Sequence, residues 1–168
     1  MKNKSLQTDK CIVDIFAKYS KMVYRLCFVY LRNRTDADDA FQEIFIKYFT
    51  SSPVFIDEIH EKAWMMKVSA NHCKNFLKST WNTKTVAIDD DLAVISDESD
   101  REVIKQVMTL PEKYRTVIHL YYFEGYSTVE IAAMLHKNGA TVRTILKRGR
   151  EMLRELLKGE IDFEEPNI

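Results

Sequence analysis

The chain is poor in the residues that make tight turns, with only four glycines and three prolines among 168 residues. Breakers this scarce argue against a turn-rich β architecture and leave an all-helical chain as the first expectation. Cysteine is scarce as well. Cys11, Cys27 and Cys73 are odd in number and far apart in sequence, which fits reduced thiols packed as small buried side chains better than a disulfide frame or a metal site. The longest apolar run, residues 26–31, is far short of the roughly 20 residues that span a bilayer, and residues 1–10 carry no apolar signal core. Together these absences predict a soluble, cytoplasmic protein. No surplus of charge exists either, because 25 basic and 25 acidic side chains cancel. Nucleic-acid binding therefore cannot rest on bulk attraction to phosphate and has to be local.

Catalytic equipment is missing too. His60, His72, His119 and His136 show no metal-ligand spacing, no glycine-rich phosphate loop occurs, and no Ser/His/Asp or Cys/His arrangement can be assembled. Neither an enzyme nor a resident metal, cofactor or small-molecule substrate is expected.

What the sequence does hold is helical periodicity. Ile12, Ile15, Phe16, Tyr19, Val23, Leu26 and Tyr30 predict a long amphipathic helix over residues 11–31. Thr35 then offers an N-cap, Asp36, Asp38 and Asp39 suit the positive end of a helix dipole, and Phe41, Ile44, Phe45, Tyr48 and Phe49 continue the period to about residue 49. Residues 51–53 break that helix, and residues 54–60 read as a loop or a short turn. A third helix is predicted over residues 61–78, with Met65, Val68, His72 and Phe76 inward. On another side of it Lys67, Asn71, Lys74 and Lys78 fall at i, i+4, i+7 and i+11, a basic stripe bearing one amide.

Periodicity fades between residues 81 and 100, where Asp89, Asp90, Asp91, Asp97, Glu98 and Asp100 gather with no basic residue from 89 onward. This predicts a flexible, solvated acidic linker. The chain then divides into a first small helical domain at 1–80, the linker at 81–100, a second helical domain at 101–160 and a tail at 161–168.

The second domain resumes with Val103, Val107 and Leu110, and Pro111 opens a new helix at its first turn. Gly125 closes the helix of Tyr114, Val117, Ile118 and Tyr121, and Ser127 with Glu130 spells a capping box for the next, whose core face is Ile131, Ala132 and Leu135. A turn at residues 136–139 contains Asn138 as cap for a final helix that reaches about residue 158. This pattern is a helix-turn-helix. On the last helix Val142, Ile145, Leu146, Leu153 and Leu156 face inward, while Arg143, Lys147, Arg150, Arg154 and Lys158 line the outside with Thr144 and Arg148 beside them. Residues 137–158 hold seven basic and two acidic side chains, a net of plus five. A major groove admits such a helix, in which Arg pairs with guanine and Thr meets a thymine methyl. Gly149 falls on the inner face, a costly residue there unless another helix packs closely against it.

The segments TDADDAFQEIFIKYF (35–49), HEKAWMMKVSANHCKNFLKS (60–79) and the helix-turn-helix stretch at 110–156 occur in this order. In this combination the chain resembles the extracytoplasmic-function (ECF) sigma factors of bacterial RNA polymerase. The first segment resembles their region 2 clamp helix, the second the helix that reads the minus-ten element, and the third region 4, which reads the minus-thirty-five element. The resemblance implies a promoter-specificity subunit for core RNA polymerase. Carried over by position, Asp39, Gln42 and Glu43 would meet a coiled coil of the largest polymerase subunit. Lys67, Asn71, Lys74 and Lys78 would meet the melted minus-ten strand, the loop at 51–61 would capture a flipped base, and Arg143, Thr144, Lys147, Arg148 and Arg150 would read the minus-thirty-five duplex. An anti-sigma factor, usually membrane-bound, is the further partner the family implies. His136 stands where the family usually has glycine, and Lys137 where it usually has an apolar side chain. Trp64 could stack on a base at the melted edge, although packing is the commoner role for such a tryptophan. A stand-alone helix-turn-helix regulator, whose first domain serves only dimerisation or sensing, is the competing expectation.

Overall fold

The six residues from Leu26 to Leu31 are all buried, so this part of the first helix is apolar on every side and needs cover on every side. Each such side chain contributes roughly 1.5–3 kcal/mol when removed from water, and the surrounding helices are arranged to supply that cover. The computed structural model describes residues 2–51, 53–79, 92, 98 and 100–157, with side chains from residue 11 onward. Helix α1 spans Lys2–Leu31, α2 Arg34–Ser51 and α3 Glu58–Ser79. Each of the three packs on the other two. Helix α2 brings Ala37, Ala40, Ile44 and Phe45 to the core, and α3 brings Met65, Met66, Ser69, Ala70 and Cys73.

Four expectations shift here. Helix α1 starts well before Cys11, in a polar stretch without apolar period. The cap of α2 is Asn33, whose Oδ1 accepts from the Asp36 amide at 3.2 Å, instead of Thr35. In α3, Val68, His72 and Phe76 are only half-buried, and the small Ser69, Ala70 and Cys73 take the inner face. Small side chains let helices approach closely, and Ser69 satisfies its hydroxyl by donating to the Met65 carbonyl at 2.6 Å. Cys27 and Cys73 are fully buried, while Cys11 is exposed and not packed as expected. Far apart in sequence, Cys27 and Cys73 meet in the core: a hydrogen bond to Cys27, then burial, pushes the Cys73 thiol well up.

The second group of helices is α4 (Arg101–Thr109), α5 (Glu112–Ile118), α6 (Thr128–Leu135) and α7 (Gly139–Leu156). Helix α5 runs on into a π-helical turn, His119–Phe123, that the sequence pattern does not announce. The Glu124 amide donates to the His119 carbonyl at 3.1 Å, and Gly125 follows at φ +74°, a left-handed conformation that suits glycine. Ile118 and Leu120 are buried here, as is Arg115, whose Nη1 donates to the Leu110 carbonyl at 3.0 Å.

By its contacts the chain divides into two compact units, Met1–Lys84 and Thr85–Ile168. Nearly all of the acidic stretch at 81–100 lies outside the described residues, as do Lys158 and the tail; within the stretch, Leu92 is buried.

Gly149 has the packing role its position suggests. A Cβ built on it would lie 3.1 Å from Ile118 Cγ1 and 3.6 Å from Tyr114 Cβ, so α5 and α7 touch there. Gly149→Val is expected to destabilise the second unit by about 1–3 kcal/mol through overpacking. Urea denaturation followed by circular dichroism checks this.

Candidate nucleic-acid and polymerase interfaces

The second unit presents α7 through two local devices. Ser127 Oγ accepts from the Glu130 amide at 3.2 Å while Glu130 Oε2 accepts from the Ser127 amide at 2.7 Å, a complete capping box that fixes the start of α6. Asn138 Oδ1 accepts from the Ala140 amide at 2.8 Å and fixes the start of α7. Between them His136 ends α6 at φ +52°. That left-handed cap is where the family's usual glycine would be most at ease, and it shows that the turn forms with histidine in its place.

Val142, Ile145, Leu146, Gly149 and Leu153 form the buried face of α7. Arg143, Thr144, Lys147, Arg148 and Arg154 are exposed. Arg143, Lys147 and Arg154 follow i, i+4 and i+11 and share one side, with Thr144 and Arg148 further round. A Cβ on Gly139 would lie 3.4 Å from Arg143 Nη1, an ordinary contact with the end of a flexible side chain. The Thr144 hydroxyl donates to the Ala140 carbonyl at 3.0 Å, so what this side chain can offer a base is chiefly its methyl group.

Two placements on α7 are corrected. Arg150 is 7% exposed and does not lie on the outer surface. Its position borders the Leu146–Gly149–Leu153 stripe, and the phenol of Tyr122, from the π-helical turn, hydrogen-bonds to it. Its Nε and Nη1 are buried without a hydrogen-bond partner. Leu156 is 46% exposed, and Leu157 takes the inward place expected of it.

In the first unit Lys67, Lys74 and Lys78 are exposed and Asn71 is half-buried along α3. The periodic spacing thus leaves three cations free to meet phosphate. On α2, Asp39, Gln42 and Glu43 are exposed at i, i+3 and i+4, opposite the buried Ala37, Ala40 and Ile44. Glu43 Oε2 lies 3.0 Å from His72 Nε2, a close approach without hydrogen-bond alignment. Asp36 and Asp38 are half-buried, and Asp36 sits in the first turn, where it serves the helix dipole.

Sequence reasoning missed the site where three helices meet. Glu61, on the first turns of α3, accepts from Tyr19 of α1 at 2.7 Å and from Tyr48 of α2 at 2.6 Å, and Lys18 Nζ lies 3.5 Å away. Lys18 also pairs with Glu58 at 2.6 Å. One helical turn earlier, Asp57 Oδ1 accepts from the His60 amide at 2.9 Å, which caps α3 and accounts for its start before Glu61. Burial alone would raise the Glu61 carboxyl, but the two phenols and the Lys18 ammonium bring it below its usual 4.5. Burial and the bond to Glu61 push Tyr19 up to about 12 and Tyr48 further in the same direction. Tyr48 in turn stacks on Phe55 with ring centroids 6.2 Å apart, and Trp64 closes edge-on against both at 5.7 Å. Trp64 is thus part of a half-buried aromatic cluster. No local pattern marks this network, because its members are brought together only by packing.

A depressed carboxyl stabilises the fold above its unfolded value, and the contribution is lost as pH falls from 4.5 through the depressed value. The first unit is expected to weaken across that window. Glu61→Gln is expected to be less stable at neutral pH and to show a flatter acid limb, measured as urea midpoint against pH.

Among the described residues no cluster of histidine, cysteine and carboxylate side chains could hold a metal ion. Among them, too, no helix is long and apolar enough to cross a membrane.

Comparison with known proteins agrees with the layout of both units. Residues 15–83 match the family described as Sigma-70 region 2, and residues 100–153 the one described as Sigma-70, region 4. The ECF RNA polymerase sigma factor SigW of Bacillus subtilis (strain 168) is 30% identical over 167 residues, covering 88% of this chain and 87% of that protein. The RNA polymerase sigma factor SigV of the same organism is 29% identical over 164 residues, covering 94% and 98%. Among solved structures, the sigma factor RpoE in complex with the anti-sigma factor NepR from Bartonella quintana shares the fold at a TM-score of 0.69 and 19% identity, covering 90% of this chain and 99% of that one. CnrH in complex with the cytosolic domain of CnrY shares it at 0.65 and 19%, covering 91% of each. With the likeness to SigW running through both units, the chain belongs to the ECF RNA polymerase sigma factors.

Proposed function

We propose that this sigma factor engages core RNA polymerase through the Asp39, Gln42 and Glu43 face of α2. In this reading it holds melted minus-ten DNA along Lys67, Asn71, Lys74 and Lys78 of α3, and it reads the minus-thirty-five duplex with Arg143, Thr144, Lys147 and Arg148 of α7. The observation that carries the reading is the cation-bearing outer face of α7, set by two helix caps in a chain of zero net charge. A neutral protein with two local basic surfaces is suited to read DNA when a larger enzyme delivers it. Such a protein performs no chemistry of its own. The likeness in both units, and not in the helix-turn-helix alone, disfavours a stand-alone regulator.

The domain plan that goes with this reading is region 2 at 1–80, a linker at 81–100 and region 4 at 101–160. The protein works in the cytoplasm, where polymerase and promoters are, and an anti-sigma factor holds it inactive, at the membrane where that partner is anchored there. The complex of RpoE with its anti-sigma factor supports the partner. Reconstitution with core polymerase on genomic DNA, followed by sequencing of transcript 5′ ends, tests the whole. A discrete set of starts absent with core enzyme alone is the expected result. Starts indistinguishable from those of core enzyme would sink the reading.

A further inference from the structure

The network around Glu61 sits at the head of the helix that carries the lysine stripe, and beside it are the most exposed apolar side chains among the described residues of the first unit. Val54, Ile56 and Ile59 are 95%, 88% and 77% exposed. Phe55 between them is half-buried against Tyr48 and Trp64. An exposed apolar loop at the head of a helix that bears a row of cations is the composition of a platform for single-stranded nucleic acid, where bases meet apolar or aromatic surface and phosphates meet lysine. Such a platform works only if the loop is held still, because ordering it at the moment of binding costs affinity. The anchor of residues 53–57 is Phe55, which packs on Tyr48 and Trp64, and the phenol of Tyr48 donates to Glu61.

We propose that Glu61 is a positioning residue: by holding Tyr48 and Tyr19 at once it fixes the Phe55-anchored loop at the head of α3, so that Val54 and Ile56 and the lysine stripe take unpaired DNA as one preorganised surface. The inference rests on the reading of α3, with the loop before it, as the minus-ten surface, and what it adds is how Glu61 sets that surface. Glu61 itself touches no DNA. It acts through Tyr48, so removing the carboxylate or the phenol has the same consequence.

The test uses Glu61→Gln, Tyr48→Phe and the double variant, each bound to core polymerase. The probe is a fluorescent random-sequence pool of single-stranded 20-mers, titrated at several salt concentrations, and hydrogen exchange follows the amides of residues 54–60. Either single variant is expected to speed exchange of those amides and to weaken strand capture about tenfold, the scale of one hydrogen bond to a charged group. The double variant is expected to be no worse than either single one. Core affinity stays as in the wild type, and the salt slope stays too because no lysine is lost.

Loop amides that exchange at the wild-type rate in Glu61→Gln would overturn the proposal. So would additive losses in the double variant, or a loss of core affinity in step with strand capture, which would mean that Glu61 supports only the bundle. A wild-type complex that captures no more single strand than core enzyme alone would refute the minus-ten reading itself and the DNA half of this proposal. The exchange data would then decide the positioning of the loop separately.

Discussion

Arg143→Glu combined with Lys147→Glu is expected to reduce initiation at promoters that depend on their upstream element by about a hundredfold, with core association intact. The size follows from the placement of the two side chains. Both are exposed on one side of α7, near the end that Asn138 fixes, and the N-terminal part of a recognition helix is what reaches base edges. A base-edge contact is worth about 1–3 kcal/mol, so two of them lost make roughly 3 kcal/mol a conservative figure, and that is a hundredfold. Carboxylates facing phosphate add repulsion on top. The salt dependence of promoter binding should also flatten, by about 0.9 in log–log slope for each phosphate contact removed.

Arg150 supplies the contrast. Buried beside Tyr122, it should respond to Arg150→Met with a changed melting temperature of the second unit and unchanged promoter preference. In vitro transcription on templates with and without the upstream element measures both effects. Undiminished transcript levels from the double variant would remove α7 from promoter reading.

What could be read from the residues alone was whatever has a local cause. Ser127 with Glu130 and Asn138 are caps that act within one helical turn, and both form as their spacing predicts. The lysines of α3 are visible because a stripe needs only the helical period, and Gly149 because glycine inside a helix demands a neighbour. What could not be read depends on partners distant in sequence. Arg150 belongs by period to the border of the outer stripe, yet it is buried and meets Tyr122, from a π-helical turn without sequence signal. Cys27 and Cys73 meet because α1 and α3 pack, and Glu61 gathers Tyr19 and Tyr48 for the same reason. The early start of α1 is a different case. Its polar first turns have no apolar period, and periodicity was the only signal available for the start of that helix.

Asp39→Arg combined with Glu43→Arg is expected to weaken capture of core polymerase by about 2–5 kcal/mol, the cost of breaking hydrogen-bonded charge pairs across an interface. That is about thirtyfold at the least. The geometry separates this effect from damage to the fold. Ala37, Ala40, Ile44 and Phe45 carry the packing of α2, while Asp39 and Glu43 point away from it. Glu43 loses its approach to His72 in the variant, but its side chain is 62% exposed, so little stability goes with it. Asp36→Asn provides the control within the same helix: Asp36 sits in the first turn, and its loss should cost only the roughly 0.3–1 kcal/mol of a dipole interaction and leave polymerase binding alone. Carboxylates that reach partner arginines also predict a capture that weakens as salt rises, since screening at physiological ionic strength acts over about 8 Å. Co-purification with core enzyme at graded salt measures this directly. If the double variant were retained at the wild-type level, the polymerase contact would have to lie on another face of the first unit.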